Sequence, residues 1–327
     1  MNGLRADEHA RDDGPRALPA ALAWTLYPGV MALGLTIGWL GIAHALPRIV
    51  AIGVPSVAAS LVMFGAERRW PFREAWRRYG SDLRTDLAHA LVAGVLVPGL
   101  VDAGLRALVL EAAAPLALHG LAVWPAHLPL GVQLALALVV SELFLYWSHR
   151  LSHAVPLLWR FHAVHHSSER LYFLNSNRFH PVDAALTTVA FVAPLSLLGA
   201  GPEVLVLHTI VNAIHGVFKH GNVGVRLGPL NWLVSLAELH RWHHSPERRE
   251  ASHNYGTNLI VWDVIFGTRF LPRDREPPED VGLGPPGYPQ RYLAQLLEPL
   301  RSKAVARARR SGNAERSVHP QLDTGDG

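Results

Sequence analysis

The chain has 327 residues and no cysteine, 50% of its composition is hydrophobic and its mean hydropathy is +0.16. That is too apolar for an ordinary soluble domain and marks a membrane protein. Without thiols there are no disulfide frameworks, thiol nucleophiles, zinc ribbons or iron–sulfur clusters, so any metal chemistry must use imidazole and carboxylate. The net charge is +4, and all but Lys219 and Lys303 of the 30 basic residues are arginine. These arginines are scattered between apolar stretches and not gathered on one stripe, which excludes nucleic acid as a partner and points to a membrane surface. The arginine, alanine and glycine usage is that of a GC-rich bacterial genome.

Residues 1–17 read as a mixed-charge cytoplasmic tail. From Leu18 to Pro47 no Asp, Glu, Lys or Arg occurs, enough to cross a bilayer core of about 30 Å at about 1.5 Å per residue. A second uncharged stretch, Ile49 to Ala66, ends in Glu67-Arg68-Arg69-Trp70, so residues 18–83 are predicted to form a transmembrane hairpin and a basic loop. The third apolar segment, about Leu87 to Leu110, contains Asp102, Arg106 and Pro98, and the fourth runs from about Leu128 to Trp147. A further pair, Ala184 to Leu198 and Val204 to Phe218, is short for full spans and reads as re-entrant or interfacial.

The predicted fold is all-α, a polytopic membrane helical bundle of about four transmembrane helices in hairpins, with a cytosolic-face helical cap. The orientation follows from Arg68, Arg69, Arg73, Arg77, Arg78 and Arg84 after the second span, against links at Glu111 to Leu128 and Gly199 to Glu203 that have no Lys or Arg. Residues 84–272 form the predicted catalytic domain. Residues 273–327 form a tail in which Tyr292 to Arg310 has the spacing of a surface helix, running into a disordered end.

Of 19 histidines, 13 fall between His149 and His253. His149 and His153 are four apart at the end of the fourth apolar segment, on one helix face. His162-Ala-Val-His165-His166 and His240-Arg-Trp-His243-His244 place histidines at i, i+3 and i+4, so three rings can converge from one turn. A single member, such as His208, His215 or His253, is as readily a satisfied core or solvated residue. The set is not, because burying many imidazoles together is costly unless they are paired or metal-bound. Eight to ten such ligands exceed what one tetrahedral zinc uses and suit two metal ions of higher coordination number. There is no HExxH and no cysteine-based deaminase signature. Two irons activating O2 are the favoured reading in a membrane setting, with zinc and manganese open.

His149-Arg150-x-x-His153, His162-x-x-His165-His166-Ser167-Ser168, Asn177-Arg178-Phe179-His180-Pro181, His220-Gly221-Asn222, His240-Arg241-x-His243-His244-Ser245, Asn254-Tyr255-Gly256 and Trp262-Asp263-x-x-Phe266-Gly267-Thr268 together resemble the fatty acid hydroxylase/sterol desaturase superfamily. The resemblance covers about Arg84 to Pro272. It implies a membrane-embedded, mainly helical enzyme with a di-iron centre at the cytosolic face. Such an enzyme uses O2 and two electrons from an external donor, a ferredoxin or cytochrome with its reductase, to hydroxylate or desaturate a lipid. Carried over residue by residue, the ligands are His149, His153, His162, His165, His166, His240, His243 and His244, with His220 at a further family position. His180, His215 and His253 are possible additional ligands or supports.

Asp86 and His89, at i and i+3, are read as partners that orient a ligand ring or as plain helix N-terminal groups. Glu142, seven residues before His149 in an apolar helix, is expected to bond a ligand imidazole. Trp159, Trp242 and Trp262 are expected to be interfacial or packing aromatics and not substrate-binding groups, and Asp263 to accept structural hydrogen bonds. The expected location is the bacterial cytoplasmic membrane, multi-pass, with the active site on the cytoplasmic side. Competing readings are an ether-lipid monooxygenase within the same superfamily and, from another class, a non-redox zinc-dependent membrane hydrolase or metal-handling protein using the same histidines.

Overall fold

The structure is a computed structural model that describes residues 18–77, 80, 82–117, 123–284 and 287–301, with side chains 109–117 left undescribed. The expected N-terminal tail, and the part of the expected surface helix beyond residue 301, lie outside the described residues. Among the described residues twelve α-helices follow in order: α1 Ala20–Ala43, α2 Arg48–Arg69, α3 Leu83–Leu91, α4 Val97–Ala117, α5 Leu130–Ala154, α6 Pro156–His162, α7 Pro181–Leu198, α8 Pro202–His220, α9 Ala237–His243, α10 Arg248–Ala251, α11 Val261–Ile265 and α12 Tyr292–Leu297. A π-helical turn, Val92–Leu96, carries α3 into α4. There is no strand among the described residues, where two isolated bridges join Pro71 to Val223 and Val234 to Leu259.

Among the described residues five helices are long and apolar enough to cross a membrane: Ala20–Ala43, Arg48–Arg69, Leu83–Leu108, Leu130–Ala154 and Pro181–Leu198. The fifth is α7, which the sequence reading left short. It reaches 18 residues because the His180 ring accepts a hydrogen bond from Val182 N at 3.1 Å, so the helix starts at Pro181 rather than at Ala184. Proline at this first position costs no hydrogen bond, and Gly199, at φ 83°, ends the helix in the left-handed conformation that glycine adopts freely. Large apolar side chains such as Leu33, Leu61, Leu100 and Leu197 point outward from these helices, as expected where the surrounding solvent is hydrocarbon.

α8 lies at the centre, packed against α1, α2 and α5, and α7 packs against α4 and α5. Its Ile210, Ile214 and Phe218 are fully buried with Ala59 and Met63 of α2. Gly34 and Gly38 let α1 approach closely: a Cβ at either would fall 2.2 Å from the Cδ1 of Ile214 or Ile210. With no hydrophobic driving force between helices in lipid, this close packing is what holds them together. The α7–α8 turn lies beside the α4–α5 link, where Trp124 N donates to Leu198 O. The start of α1 lies at the other end, where Arg226 N donates to Ala23 O. The histidine-bearing ends of α5 and α8 therefore share the end opposite the hairpin turns.

Candidate metal centre

The long helices deliver His149 and His153 from the last turns of α5 and His220 as the last residue of α8. Short elements supply the rest: His162 ends α6, His165 and His166 form a 3-10 turn with Ser167, and His240, His243 and His244 come from α9 and its C-terminal cap. Two groups result, His149, His153, His162, His166 and His243 in one and His165, His220, His240 and His244 in the other. Within each group, one nitrogen per ring lies within 4.8 Å of the others, and either group could hold a metal ion. The groups adjoin, with the His166 and His244 rings stacked at 4.4 Å between centroids.

Neither box brings three rings to one point, as the sequence spacing suggested. Each splits. The i and i+4 members, His162 with His166 and His240 with His244, stay together, while the i+3 members His165 and His243 cross to the other group. In the second box, carried by α9, neighbours at i and i+4 share a helix face and the i+3 side chain is turned about 100° from i+4, whereas in the first the chain leaves α6 at His162 and enters a 3-10 turn at His165.

In the first group three of the five Nδ1 atoms are held. His149 Nδ1 donates to Tyr255 O at 2.7 Å, His162 Nδ1 to Asp183 Oδ2 at 2.9 Å and His243 Nδ1 to His253 O at 2.7 Å. An acceptor at Nδ1 fixes the proton there and leaves Nε2 as a lone pair. The Nε2 atoms of all three are buried and meet no hydrogen-bond donor. Orphaned buried lone pairs are expensive, and a cation between them removes the cost.

In the second group His220 Nδ1 is held by Asn175 Oδ1 at 2.9 Å. The Nε2 atoms of His220 and His240, and of His240 and His244, are 3.0 Å apart, and those of His244 and His165 are 3.2 Å apart. Such separations are the edge lengths of a polyhedron of nitrogens at about 2.1 Å from a central metal. The donor set therefore fits two cations of the imidazole-binding class, iron among them. Burial, and after it the positive charge of neighbouring groups, pushes His165, His166, His240, His243 and His244 well below the ordinary imidazole range. They are neutral at neutral pH, the protonation state a ligand needs.

The segment Asn254 to Asn258 is pinned along its length. Asp263 accepts from Tyr255 N at 2.8 Å and Gly256 N at 2.7 Å, while Glu142 accepts from Thr257 N and from Asn258 N at 2.9 Å. Lys219 Nζ and Ser235 Oγ both donate to Gly256 O, at 2.9 and 2.7 Å. A Cβ at Gly256 would lie 2.1 Å from Leu259 O, so glycine is required there. This strap is what fixes Tyr255 O against His149.

Several expected supports act elsewhere. Glu142 meets no ligand imidazole, because the strap amides saturate its carboxylate. Asp86 accepts from Tyr172 Oη and from Arg178 Nε at 2.5 Å, and His89 bridges Phe179 O and Gln295 Oε1 at 2.9 and 2.7 Å, so neither orients a ligand ring directly. His180 caps α7 and donates from Nε2 to Leu296 O. His215 accepts from Tyr27 Oη at 2.8 Å and donates from Nε2 to Ser235 O at 2.6 Å, leaving no nitrogen for a metal. His253 contributes its backbone carbonyl to His243, while its ring donates to Arg249 O. Asp263 accepts structural hydrogen bonds as expected.

Sequence reasoning missed Asp183, Asn175 and Lys219. Asp183 carried a readable signal, being the one charged residue in the apolar run Pro181 to Leu198, and a carboxylate kept in such a run is there for a partner. Asn175 and Lys219 stand out only once the loops are folded.

Residues 134–268 match the family model for fatty acid hydroxylases. The chain is 34% identical over 288 residues to an ornithine lipid hydroxylase of Rhizobium tropici, covering 88% of this chain and 86% of the relative. It is 37% identical over 123 residues to human alkylglycerol monooxygenase, covering 38% of this chain and 27% of that protein. It is 29% identical over 150 residues to an Arabidopsis thaliana protein named as a Delta(7)-sterol-C5(6)-desaturase, covering 42% of this chain and 48% of that one. No solved structure matches the chain.

Proposed function

The chain belongs to the fatty acid hydroxylase/sterol desaturase superfamily and is a lipid-modifying oxidoreductase with membrane-spanning helices; from that premise we propose that it hydroxylates or desaturates a C–H bond of a membrane lipid with two irons and O2. The observation that carries this reading is the pair of adjoining all-imidazole groups, five and four rings, with the Nε2 atoms of His149, His162 and His243 buried without a donor in one and the Nε2 atoms of His165, His220, His240 and His244 converging in the other. Bound there, two irons would supply the oxygen activation that cleaves an unactivated C–H bond. The ligands are His149, His153, His162, His166 and His243 on one side and His165, His220, His240 and His244 on the other.

The protein's own contribution is positional. Asp183, Tyr255 O and His253 O hold three rings of one group with the proton on Nδ1, and Asn175 holds His220. Phe179 stacks on His165 at 4.3 Å, and Tyr255 sets its ring against His149 and His153. These apolar walls keep water from the reacting carbon. Gln295 of α12 binds His89 and Ser167 Oγ, so the C-terminal segment closes over the same end. Residues 84–272 make the reaction unit in this reading, with the 18–83 hairpin packed on α8.

Electrons enter from a separate ferredoxin or cytochrome with its reductase, since no flavin, haem or nucleotide motif occurs in the sequence. The arginine-rich loop after α2 supports a bacterial inner-membrane location with the histidine end on the cytoplasmic side. The substrate class is a polar acyl lipid, the similarity to the ornithine lipid hydroxylase being the longest of those described.

The deciding experiment combines metal analysis of purified protein with lipid profiling of a deletion strain. About two irons per chain, and loss of a lipid one oxygen heavier or two hydrogens lighter than its precursor, are expected. Zinc alone, surviving both aerobic and anaerobic preparation, with an unchanged lipid profile, would favour a hydrolytic or metal-handling protein.

A further inference from the structure

A cleft of about 500 Å³ shares no lining residue with the histidine groups. Gly228, Asn231 and Trp232 form one wall and Arg269, Leu271 and Arg273 the other. The Arg269 guanidinium lies over the Trp232 ring at 3.9 Å and donates from Nε to Asn231 O at 3.0 Å, which holds the side chain in place. Its terminal amino groups have no protein partner among the described residues, and neither Arg269 nor Arg273 pairs with a carboxylate there. No acidic residue lines the cleft, and Glu238, behind Asn231, accepts from Leu227 N and Asn231 Nδ2 at 2.9 and 2.8 Å. The other amide atom, Asn231 Oδ1, meets no donor, and Asn231 is only 4% exposed. The two guanidiniums also repel, and Arg273 adds to the burial that lowers Arg269. The cleft thus presents two guanidinium groups with no carboxylate partner among the described residues, beside an amide oxygen that lacks a donor.

Its surroundings say where the missing group comes from. A Cβ at Gly228 would lie 2.8 Å from the Trp24 ring, so the cleft abuts the first turn of the membrane-spanning α1. Trp24, Leu230, Trp232 and Leu233 are exposed around it. Exposed aromatic and apolar side chains beside basic ones at the end of a span are the setting of an interfacial lipid. We propose that this cleft is a binding site for the anionic headgroup of a membrane lipid, with phosphate or carboxylate oxygens on Arg269 and Arg273 and a headgroup hydroxyl, amide or ammonium donating to Asn231 Oδ1. A soluble acidic protein would need the charges but not the apolar rim. The site sits beside the strap: Phe270, next to Arg269, exchanges backbone hydrogen bonds with the Asn254 side chain, and Tyr255 follows Asn254. Its occupant therefore braces the segment that holds His149. The proposal does not depend on which metal or reaction the histidines serve.

The test is lipid retention by the full-length protein, purified in neutral detergent and offered phosphatidylglycerol or phosphatidylcholine, read by native mass spectrometry. Wild type should retain one phosphatidylglycerol in preference to phosphatidylcholine, and inorganic phosphate should not displace it. In the Arg269→Gln/Arg273→Gln variant, retention should weaken by about thirtyfold, the size expected of two basic residues at an anionic membrane surface. Arg273→Gln alone, which breaks no hydrogen bond of the fold, should show a smaller loss with metal content and helicity unchanged. Equal retention of the two lipids by wild type, or equal phosphatidylglycerol retention by wild type and both variants, would overturn the proposal. Displacement by inorganic phosphate would reassign the cleft to a soluble anion.

Discussion

His162 Nδ1 and Asp183 Oδ2 are 2.9 Å apart, and both side chains are buried, 4% exposed each. The pair joins the end of α6 to the first turn of α7 across 21 residues of sequence. A carboxylate behind an imidazole fixes its tautomer and strengthens it as a ligand.

Asp183→Asn keeps the shape of this pair and removes its charge. Loss of such a partner weakens a metal site by about 10–100-fold. We expect metal affinity of the five-histidine group to fall by that factor, measured by competition with a chelator, while the helical content is kept. An affinity equal to wild type would show that Asp183 is merely a helix N-terminal charge.

The split boxes predict a pattern no single-site reading shares. His149→Ala with His153→Ala removes two rings from one group and should leave about one metal per chain of two. His149→Ala with His240→Ala takes one ring from each group and should weaken both. Within the second box, His240→Ala and His243→Ala are three residues apart yet should deplete different metals. Mass spectrometry of the intact protein counts the ions, and identical losses from these variants would refute the grouping.

The strap gives a stability prediction. Glu142 accepts from two consecutive amides, one part-buried and one buried, and a hydrogen bond to a charged group is worth about 1.5–3 kcal/mol. Glu142→Gln keeps at most one acceptor in place and leaves Lys219 without that compensating charge, so thermal unfolding should begin several degrees lower. Gly256→Ala should be worse, since its Cβ would strike Leu259 O and push Tyr255 O away from His149. If Gly256→Ala melts with wild type and keeps its metal, the strap is not rigid.

The first hairpin was legible because a run without charge has one physical solution in lipid, a helix. α7 was not fully legible, because its extra turn depends on one local hydrogen bond from Val182 N to the His180 ring. The histidine boxes were legible as a cluster of converging rings, yet their division into groups was hidden. The spacing treats HxxHH as one helix, whereas α6 stops at His162 and His165 begins a 3-10 turn. Glu142 misled for a related reason. Helical spacing places it on the face of His149, but a loop more than a hundred residues later reaches its carboxylate first. Long-range backbone partners leave no trace in local periodicity.

Acid should unfold the metal-free protein early. His165, His166, His240, His243 and His244 are held well below the ordinary imidazole value, first by burial and then by neighbouring positive groups. Above about pH 6.5 these rings are neutral in both folded and unfolded chains and cost nothing. Below it the unfolded chain takes up protons that the folded chain resists, so folding stability falls as pH falls toward the depressed folded values. Each such ring contributes up to about 1.4 kcal/mol per pH unit. Melting of metal-free protein should therefore shift downward steeply between about pH 7 and pH 5, and more steeply than in a variant with His165, His240 and His244 replaced by Gln. A melting temperature flat across that window would mean that these rings reach water and that the centre is more open than the structure has it.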